Sequence, residues 1–199
     1  LSEQIKEFNP RYAYIEEKDP DFFRRFPSVK FFYGDEGLIQ IATVKEADLI
    51  IVAIPGIKTL IPVIESLKRG KTIGLATKEI MVVGGDFIME TEKKGNGKIL
   101  PVDSEHNAIF QILEKERIED IEKIYLTCSG GPFLEREDVE DVKVEEVLAH
   151  PVWKMGKKIT VDSATLMNKC FEIIEAHYLF SLPSEKIDIL IHPEAIIHG

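Results

Sequence analysis

Two carboxylates lie two residues apart in the segment 101–107, with a serine between them. On an extended or looping backbone, Asp103 and Glu105 can converge on one hard divalent cation, because such cations prefer carboxylate oxygens. The hydroxyl of Ser104 would then be free to reach a ligand. A second role is compatible with the first, since Asp103 or Ser104 could cap a helix that starts at His106.

A serine and two glycines follow an apolar run that favours a strand. Gly130 and Gly131 would let the backbone turn sharply and direct its N–H groups at an anion, with the Ser129 hydroxyl beside them. A plain tight turn explains the glycines equally well, so both interpretations stay open.

Residues 163–180 show helical periodicity, and Asp162 or Ser163 is a suitable N-cap for such a helix. The positive end of a helix attracts anions. The sequence therefore predicts an anion site near Ser163, at the start of this helix.

The same helix would carry an amide, an ammonium and a carboxylate on one face, because Glu172 follows Asn168 by four residues and Lys169 by three. This set suits a phosphate at one end and a metal at the other. Alone, it would be interpreted as an exposed face with an ordinary Lys–Glu pair. The presence of Lys78 and His150 in the same chain, with the two carboxylates described first, favours the functional interpretation.

The single tryptophan lies in the segment 150–158, among Pro, Gly and Lys. Trp153 has no obvious core to join there, and an aromatic lid that closes over a ligand is one hypothesis. Packing of the indole on the surface of its own domain is the alternative.

Together these segments resemble the 1-deoxy-D-xylulose 5-phosphate reductoisomerase family. The matching stretches are residues 101–111, 129–133, 150–156 and 161–169, with the shorter motifs Ala76-x-Lys78-Glu79 and Ile191-His192-Pro193. The resemblance implies an enzyme of the non-mevalonate isoprenoid pathway that depends on NADPH and on Mg²⁺ or Mn²⁺. It would rearrange the carbon skeleton of 1-deoxy-D-xylulose 5-phosphate and reduce the resulting aldehyde, giving 2-C-methyl-D-erythritol 4-phosphate.

The resemblance also implies roles for individual residues. Metal ligands would be Asp103, Glu105 and Glu172, and catalytic residues would be Lys78, Glu105 and His150. Substrate-binding residues would be Lys78, Ser104, Glu105, Ser129, His150, Ser163, Asn168, Lys169 and Glu172. Thr77, Glu79 and Gly156 would line the cofactor, and Trp153 and Met155 would belong to a mobile lid loop.

The chain departs from the family pattern in two respects. Thr77 lies where family members usually carry Asn, which puts that cofactor contact in doubt. No Gly-x-Gly-x-x-Gly turn occurs in the chain, and neither does the family's C-terminal helical domain, so we expect a fragment covering the middle of a longer protein. The alternatives to the reductoisomerase are a metal- and phosphosugar-binding module without turnover, and a phosphatase or aldolase that needs no nicotinamide.

Composition limits the partners. The 199 residues are 44% hydrophobic and carry a net charge of −10, which argues against nucleic acid or an anionic membrane as a partner. The longest apolar run, residues 49–54, is far too short to span a membrane. The two cysteines favour a reducing compartment. We expect a cytoplasmic homodimer, with a plastid location left open, and a phosphosugar substrate bound by local positive charge.

Around these residues the pattern predicts an α/β fold: the second half of a Rossmann-like NADP-binding domain (1–97), then an α/β catalytic domain (98–199) with the mobile lid loop. Strands are predicted at 11–15, 38–42 and 48–54, the last buried on both faces, and at 71–76. With a helix from Ile57 to Gly70, residues 48–76 form a βαβ unit, whose functional groups gather beyond the carboxyl ends of its strands.

A polar linker is predicted at residues 91–97. Beyond it, strands are expected at 121–128 and 188–192, and the acidic stretch 135–146 is interpreted as a solvated helical face.

Overall fold

The computed structural model describes residues 1–136 and 138–199, in which helices alternate with short strands. The helices are α1 (Ser2–Phe8), α2 (Pro20–Arg25), α3 (Gly34–Ala42), α4 (Leu60–Lys68), α5 (Glu79–Lys94), α6 (Ser104–Leu113), α7 (Val144–Val147), α8 (Lys157–Ala164) and α9 (Met167–Phe180). The strands are β1 (Tyr12–Ile15), β2 (Lys30–Tyr33), β3 (Leu49–Val52), β4 (Thr72–Leu75), β5 (Lys98–Pro101), β6 (Ile124–Cys128) and β7 (Ile187–Ile191). Short 3₁₀ helices lie at Ile118–Asp120 and Ser184–Lys186.

All strand pairs in the described residues are parallel, and the predicted α/β class is confirmed. The sheets are β1-β2, β3-β4-β5 and β6-β7. The βαβ unit is also confirmed, because β3 and β4 pair in parallel on either side of α4. No helix in the described part of the chain is long and apolar enough to cross a membrane.

In the first half of the chain, one predicted strand is a helix, and one strand is present but without its predicted burial on both faces. Residues 38–42 belong to α3, because Leu38 and Ala42 are four residues apart and line one face against α4, where the Ser66 hydroxyl donates to the Ala42 carbonyl at 2.9 Å. Strand β3 lies at the edge of its sheet, where Leu49 and Ile51 are 52% and 58% exposed, so it is not buried on both faces. An unbroken apolar run does not distinguish an edge strand from a central one.

The predicted linker and the predicted helix over 163–180 also need correction. Helix α5 continues to Lys94, leaving only three residues before β5, which pairs with β4. The division of the chain between residues 97 and 98 stays a prediction, and the sheet continues past it. Helix α9 begins at Met167, because Leu166 adopts a left-handed φ of 57° and separates it from α8.

This break changes the predicted anion site. Asp162 and Ser163 lie in the last turn of α8 and are not the N-cap of α9. Thr165 donates back to the Val161 carbonyl at 3.1 Å, a bond that competes with continuation of the helix. In the acidic stretch only Val144–Val147 is helical among the described residues, so a helical face along the whole stretch is wrong; Glu137 lies outside the described residues.

Two hydrophobic cores meet at the contact between α5 and α9. The first core surrounds β4, where Ile73 and Leu75 are fully buried together with Leu67 of α4. The second core lies between α9 and the β6-β7 sheet. At the contact, a Cβ on Gly85 would lie 2.3 Å from Cε2 of Tyr178. A side chain at position 85 would displace the Tyr178 ring, so the glycine lets α9 pack closely against the first half of α5.

We expect Leu67→Ala to lower the free energy of unfolding by about 2–5 kcal/mol, because it leaves a cavity in the first core. Ile61→Ala is the matched control on the same helix, since Ile61 is 53% exposed and should cost no more than about 0.5 kcal/mol. Urea denaturation measures both. Equal losses in the two variants would contradict the assignment of the buried face of α4.

Candidate functional site

The carboxylate of Glu172 lies at the centre of the site and is fully buried on α9. Its Oε1 accepts hydrogen bonds from Lys78 Nζ at 2.8 Å and from Asn168 Nδ2 at 2.6 Å, and its Oε2 accepts from Lys169 Nζ at 2.6 Å. Asn168 and Lys169 reach it from the same helix face, as the spacing predicts. Two ammonium groups thus compensate one buried carboxylate.

The two lysines carry the network to the segment between β5 and α6. Lys78, which directly precedes α5 at the carboxyl end of β4, forms an ion pair with Asp103 Oδ2 at 2.8 Å. Lys169 forms one with Glu105 Oε1 at 2.7 Å. The other oxygen of Glu105 accepts a hydrogen bond from the Ser104 hydroxyl at 2.7 Å.

Three carboxylates therefore meet at one point. Asp103, Glu105 and Glu172 each offer an oxygen within 4.8 Å of the others, a set of hard donors that suits Mg²⁺ or Mn²⁺. Asp103 holds the N-cap position of α6, but its side chain accepts no capping hydrogen bond. The carboxylate is directed into the cluster, so helix capping does not account for it.

Burial and charge act in opposition on these groups. Burial alone would raise the pKa of Asp103, but the hydrogen bond with His106 and the charge of Lys78 hold it well below its ordinary value. Burial would also raise the pKa of Glu105, but the charge of Lys169 holds it below its ordinary value. Burial would lower the pKa of Lys78, yet the charges of Glu172 and Asp103 raise it, so this ammonium stays protonated.

A buried histidine supports this cluster and is not among the sequence-predicted site residues. His106 donates from Nε2 to the Glu172 carbonyl at 2.9 Å, and its Nδ1 lies 3.2 Å from Asp103 Oδ2. Burial lowers the pKa of His106, but the hydrogen bond with Asp103 and the charge of Glu175 raise it overall. The only sequence signal was its position three residues after Asp103, on the same face of α6.

A cleft of about 260 Å³ opens beside the carboxylates and has all the predicted substrate-binding residues on its walls. These are Lys78, Ser104, Glu105, Ser129, His150, Ser163, Asn168, Lys169 and Glu172. Gly130 and Gly131 adopt φ values of 91° and 71°, and a Cβ on Gly131 would lie 2.9 Å from the Ser163 carbonyl oxygen. The two segments predicted to bind an anion are thus adjacent, although no helix begins at Ser163.

His150 presents a defined tautomer to this cleft. Its Nδ1 accepts the backbone N–H groups of Val152 and Trp153, at 3.1 and 3.0 Å. The proton of the neutral ring therefore lies on Nε2, which faces the Ser129 hydroxyl at 3.3 Å. Burial lowers the pKa of His150, in agreement with a neutral ring.

Trp153 and Met155 also line the cleft, from a segment without helix or strand that ends where α8 begins. The indole is 45% exposed and belongs to none of the buried clusters. The indole therefore borders the cleft, and its role as a lid stays a prediction.

A second cleft of about 270 Å³ adjoins the first and contains the three predicted cofactor residues, Thr77, Glu79 and Gly156. The Thr77 hydroxyl donates inward to the Ile54 carbonyl at 3.0 Å, so it is engaged with the backbone. Glu79 forms an ion pair with Lys158 at 2.7 Å, which links the start of α5 to α8.

Known proteins resemble this chain along nearly its whole length. A family model of 1-deoxy-D-xylulose 5-phosphate reductoisomerase matches residues 1–85, and a model of the C-terminal domain of 1-deoxy-D-xylulose 5-phosphate reductoisomerase matches residues 99–180. The reductoisomerase of Thermodesulfovibrio yellowstonii is 50% identical over 202 residues, covering 100% of this chain and 53% of that protein. That of Chlamydia caviae is 46% identical over 201 residues, covering 99% and 53%.

Solved structures of reductoisomerases also resemble this chain along nearly its whole length. A crystal structure of DOX-P reductoisomerase in complex with NADPH, fosmidomycin and magnesium has a TM-score of 0.87 at 36% identity, covering 98% of this chain and 52% of that chain. The Zymomonas mobilis reductoisomerase in complex with NADPH has a TM-score of 0.86 at 36% identity, covering 100% and 52%. The chain spans about half the length of the curated relatives it matches.

Acidification should weaken the carboxylate cluster. Asp103 and Glu105 have pKa values below their ordinary ones, so the stability they contribute is complete above that ordinary range and is lost as the pH falls below about 4. We expect the free energy of unfolding to fall less steeply with decreasing pH in Asp103→Asn than in the wild type. The exposed Asp141→Asn is the control. Identical slopes for wild type and Asp103→Asn, measured by denaturation at several pH values, would contradict the assigned ion pairs.

Proposed function

The chain belongs to the 1-deoxy-D-xylulose 5-phosphate reductoisomerase family, and from this premise we propose that it carries the metal- and substrate-binding part of an NADPH-dependent reductoisomerase. The reaction would convert 1-deoxy-D-xylulose 5-phosphate to 2-C-methyl-D-erythritol 4-phosphate. The observation that carries the proposal is the convergence of three carboxylates and two lysines where the two clefts adjoin.

We propose Asp103, Glu105 and Glu172 as the ligands of Mg²⁺ or Mn²⁺. Their oxygens are close enough to share one ion, and all are carboxylates, the donors such ions prefer. A bound divalent cation would stabilise the negative charge that develops on substrate oxygens during the rearrangement. Lys78 and Lys169 hold these carboxylates in place, because each ammonium bridges Glu172 to one of the other two.

The phosphate of the substrate would bind among Ser129, Ser163, Asn168 and Lys169, which share the first cleft. His150 supports this role, because its neutral ring directs an N–H into the same part of the cleft. Because the whole chain has a net charge of −10, the phosphate needs local positive charge, which the ammonium of Lys169 supplies.

The other end of the substrate would lie beside Lys78 and Ser104. Lys78 borders both clefts, so its ammonium places positive charge where substrate and cofactor would meet, while its three N–H groups hold Asp103, Asn168 and Glu172. Glu105 accepts a hydrogen bond from the Ser104 hydroxyl, so its carboxylate is positioned to hold a proton or a cation beside this end of the substrate.

The nicotinamide end of NADPH would occupy the second cleft, along Thr77, Glu79 and Gly156. NADPH supplies the hydride, and the protein supplies its position. The Thr77 hydroxyl already donates to the Ile54 carbonyl. Thr77 would therefore shape the cofactor cleft through its backbone, without a side-chain hydrogen bond to NADPH. Trp153 and Met155, closing over the first cleft, would exclude water from the aldehyde.

Two other functions are tested by the same assay. Substrate, Mn²⁺ and NADPH are added to the chain, and NADPH absorbance and product are followed. Loss of absorbance with formation of product supports the reductoisomerase. A calorimetric binding signal without absorbance loss supports a binding module without turnover, and product formation unchanged by omission of NADPH supports a phosphatase or aldolase.

The expected homodimer and cytoplasmic location stay predictions. Sedimentation equilibrium tests the first, and fractionation of cells that express the native gene tests the second.

Glu172→Gln should abolish metal-dependent activity while the fold is kept, because the amide has the same shape but no charge to offer a cation. We expect a loss beyond the 10–100-fold typical of an outer contact. Glu185→Gln, at an exposed glutamate, is the matched control. Circular dichroism checks the fold, and near-normal turnover in Glu172→Gln would rule out the ligand assignment.

Trp153→Ala should lower kcat/KM by at least about tenfold, or ~1.4 kcal/mol, because substrate capture loses the aromatic cover. Val152→Ala changes the neighbouring exposed side chain and should leave kcat/KM unaltered. Since Trp153 is the single tryptophan, its fluorescence in the wild type should also change when substrate binds. An unchanged kcat/KM in Trp153→Ala would identify the indole as ordinary packing.

A further inference from the structure

One buried acid in the described residues is not used by the proposed reaction. Glu175 lies on α9, three residues after Glu172, and is fully buried. Neither of its carboxylate oxygens has a hydrogen-bond partner among the described residues. Burial raises its pKa to about 7, although the charge of His106 lowers it. A buried carboxyl without a partner is costly, so its presence calls for a specific reason.

Glu175 faces the His106 ring, and a carboxylate oxygen of Asp103 also lies within 4.8 Å of its own. The distance from Glu175 Oε2 to His106 Nδ1 is 3.8 Å, beyond a hydrogen bond but close enough for direct electrostatic attraction. Both side chains are fully buried, and the His106 ring is stacked on Phe180 with centroids 6.3 Å apart. The ring therefore has Phe180 stacked on it and the two carboxylates of Asp103 and Glu175 near its Nδ1.

His106 in turn contacts two of the three proposed metal ligands. One nitrogen faces the Asp103 carboxylate, and the other donates to the backbone carbonyl of Glu172. A rotation of this ring would release Asp103 and alter the contact with α9 in the same movement. The orientation of one imidazole thus sets the spacing between ligands from two different helices.

We propose that Glu175 is a positioning residue of the metal centre, which fixes His106 and through it Asp103 and Glu172. The inference rests on the proposed function, because it assumes that these carboxylates hold a divalent cation. Groups that orient ligands from behind typically contribute 10–100-fold to metal affinity. A purely structural role predicts that Glu175→Gln leaves metal affinity unchanged. Glutamine would fill the same volume, and its neutral amide is cheaper to bury than a carboxylate.

The test is the binding of Mn²⁺ alone to the 199-residue chain, measured by calorimetry and by electron paramagnetic resonance of the ion. We expect Glu175→Gln to weaken binding by about 10–100-fold and to change the spectrum of bound Mn²⁺, while its thermal stability is equal to or above that of the wild type. His177→Gln is the matched control on the same helix, because Nδ1 of that ring donates to the Leu182 carbonyl at 2.6 Å and to none of the carboxylates. It should leave Mn²⁺ affinity unaltered.

Two comparisons separate failure of this inference from failure of the proposed function. If the wild type binds no Mn²⁺, or if Glu172→Gln binds it as the wild type does, the proposed metal site is wrong. If the wild type binds Mn²⁺ and Glu172→Gln does not, unchanged affinity in Glu175→Gln overturns the role of Glu175. Should Glu175→Gln not fold, Glu175→Met, which fills a similar volume without polar atoms, is measured in the same way against the same two outcomes.

Discussion

The fully buried carboxylate of Glu172, held between the ammonium groups of Lys78 and Lys169, is the interaction on which the site depends. Removing a carboxylate from water costs on the order of several kcal/mol, and only well-placed opposite charge offsets this cost. Lys169 comes from the same helix, but Lys78 comes from the corner between β4 and α5. The βαβ unit and the α5–α9 contact are therefore needed to deliver the second ammonium.

Two clefts share this charged wall, with Lys78 and Asn168 bordering both. The proposed reaction combines rearrangement with reduction, and it would need substrate and cofactor held within reach of each other. The ion pair between Glu79 and Lys158 joins the start of α5 to α8, directly after the segment that carries Trp153 and Met155. The wall of the second cleft is in this way connected to the segment that lines the first.

Local pattern was enough for the βαβ unit, because an apolar strand, an amphipathic helix and a second strand each have a recognisable sequence pattern, although that pattern did not show that β3 lies at the sheet edge. The types and spacing of the polar residues indicated most of those that line the first cleft, and the resemblance assigned their individual roles. The start of α9 was missed because a single left-handed residue, Leu166, interrupts an otherwise continuous helical pattern. His106 and Glu175 were missed for a different reason: they lie behind the ligands, and their proximity arises only from the packing of α6 against α9.

The close approach at Gly85 has a consequence for ion selectivity. Asp103 and Glu105 reach the centre from α6 and its N-cap, whereas Glu172 reaches it from α9, whose distance from α5 is limited by the Tyr178 ring on Gly85. The spacing of the three carboxylates, and with it the size of the cation that the proposed site would accept, therefore depends partly on a glycine outside the cluster. Discrimination between cations of different size is in this sense a property of helix packing as much as of ligand chemistry.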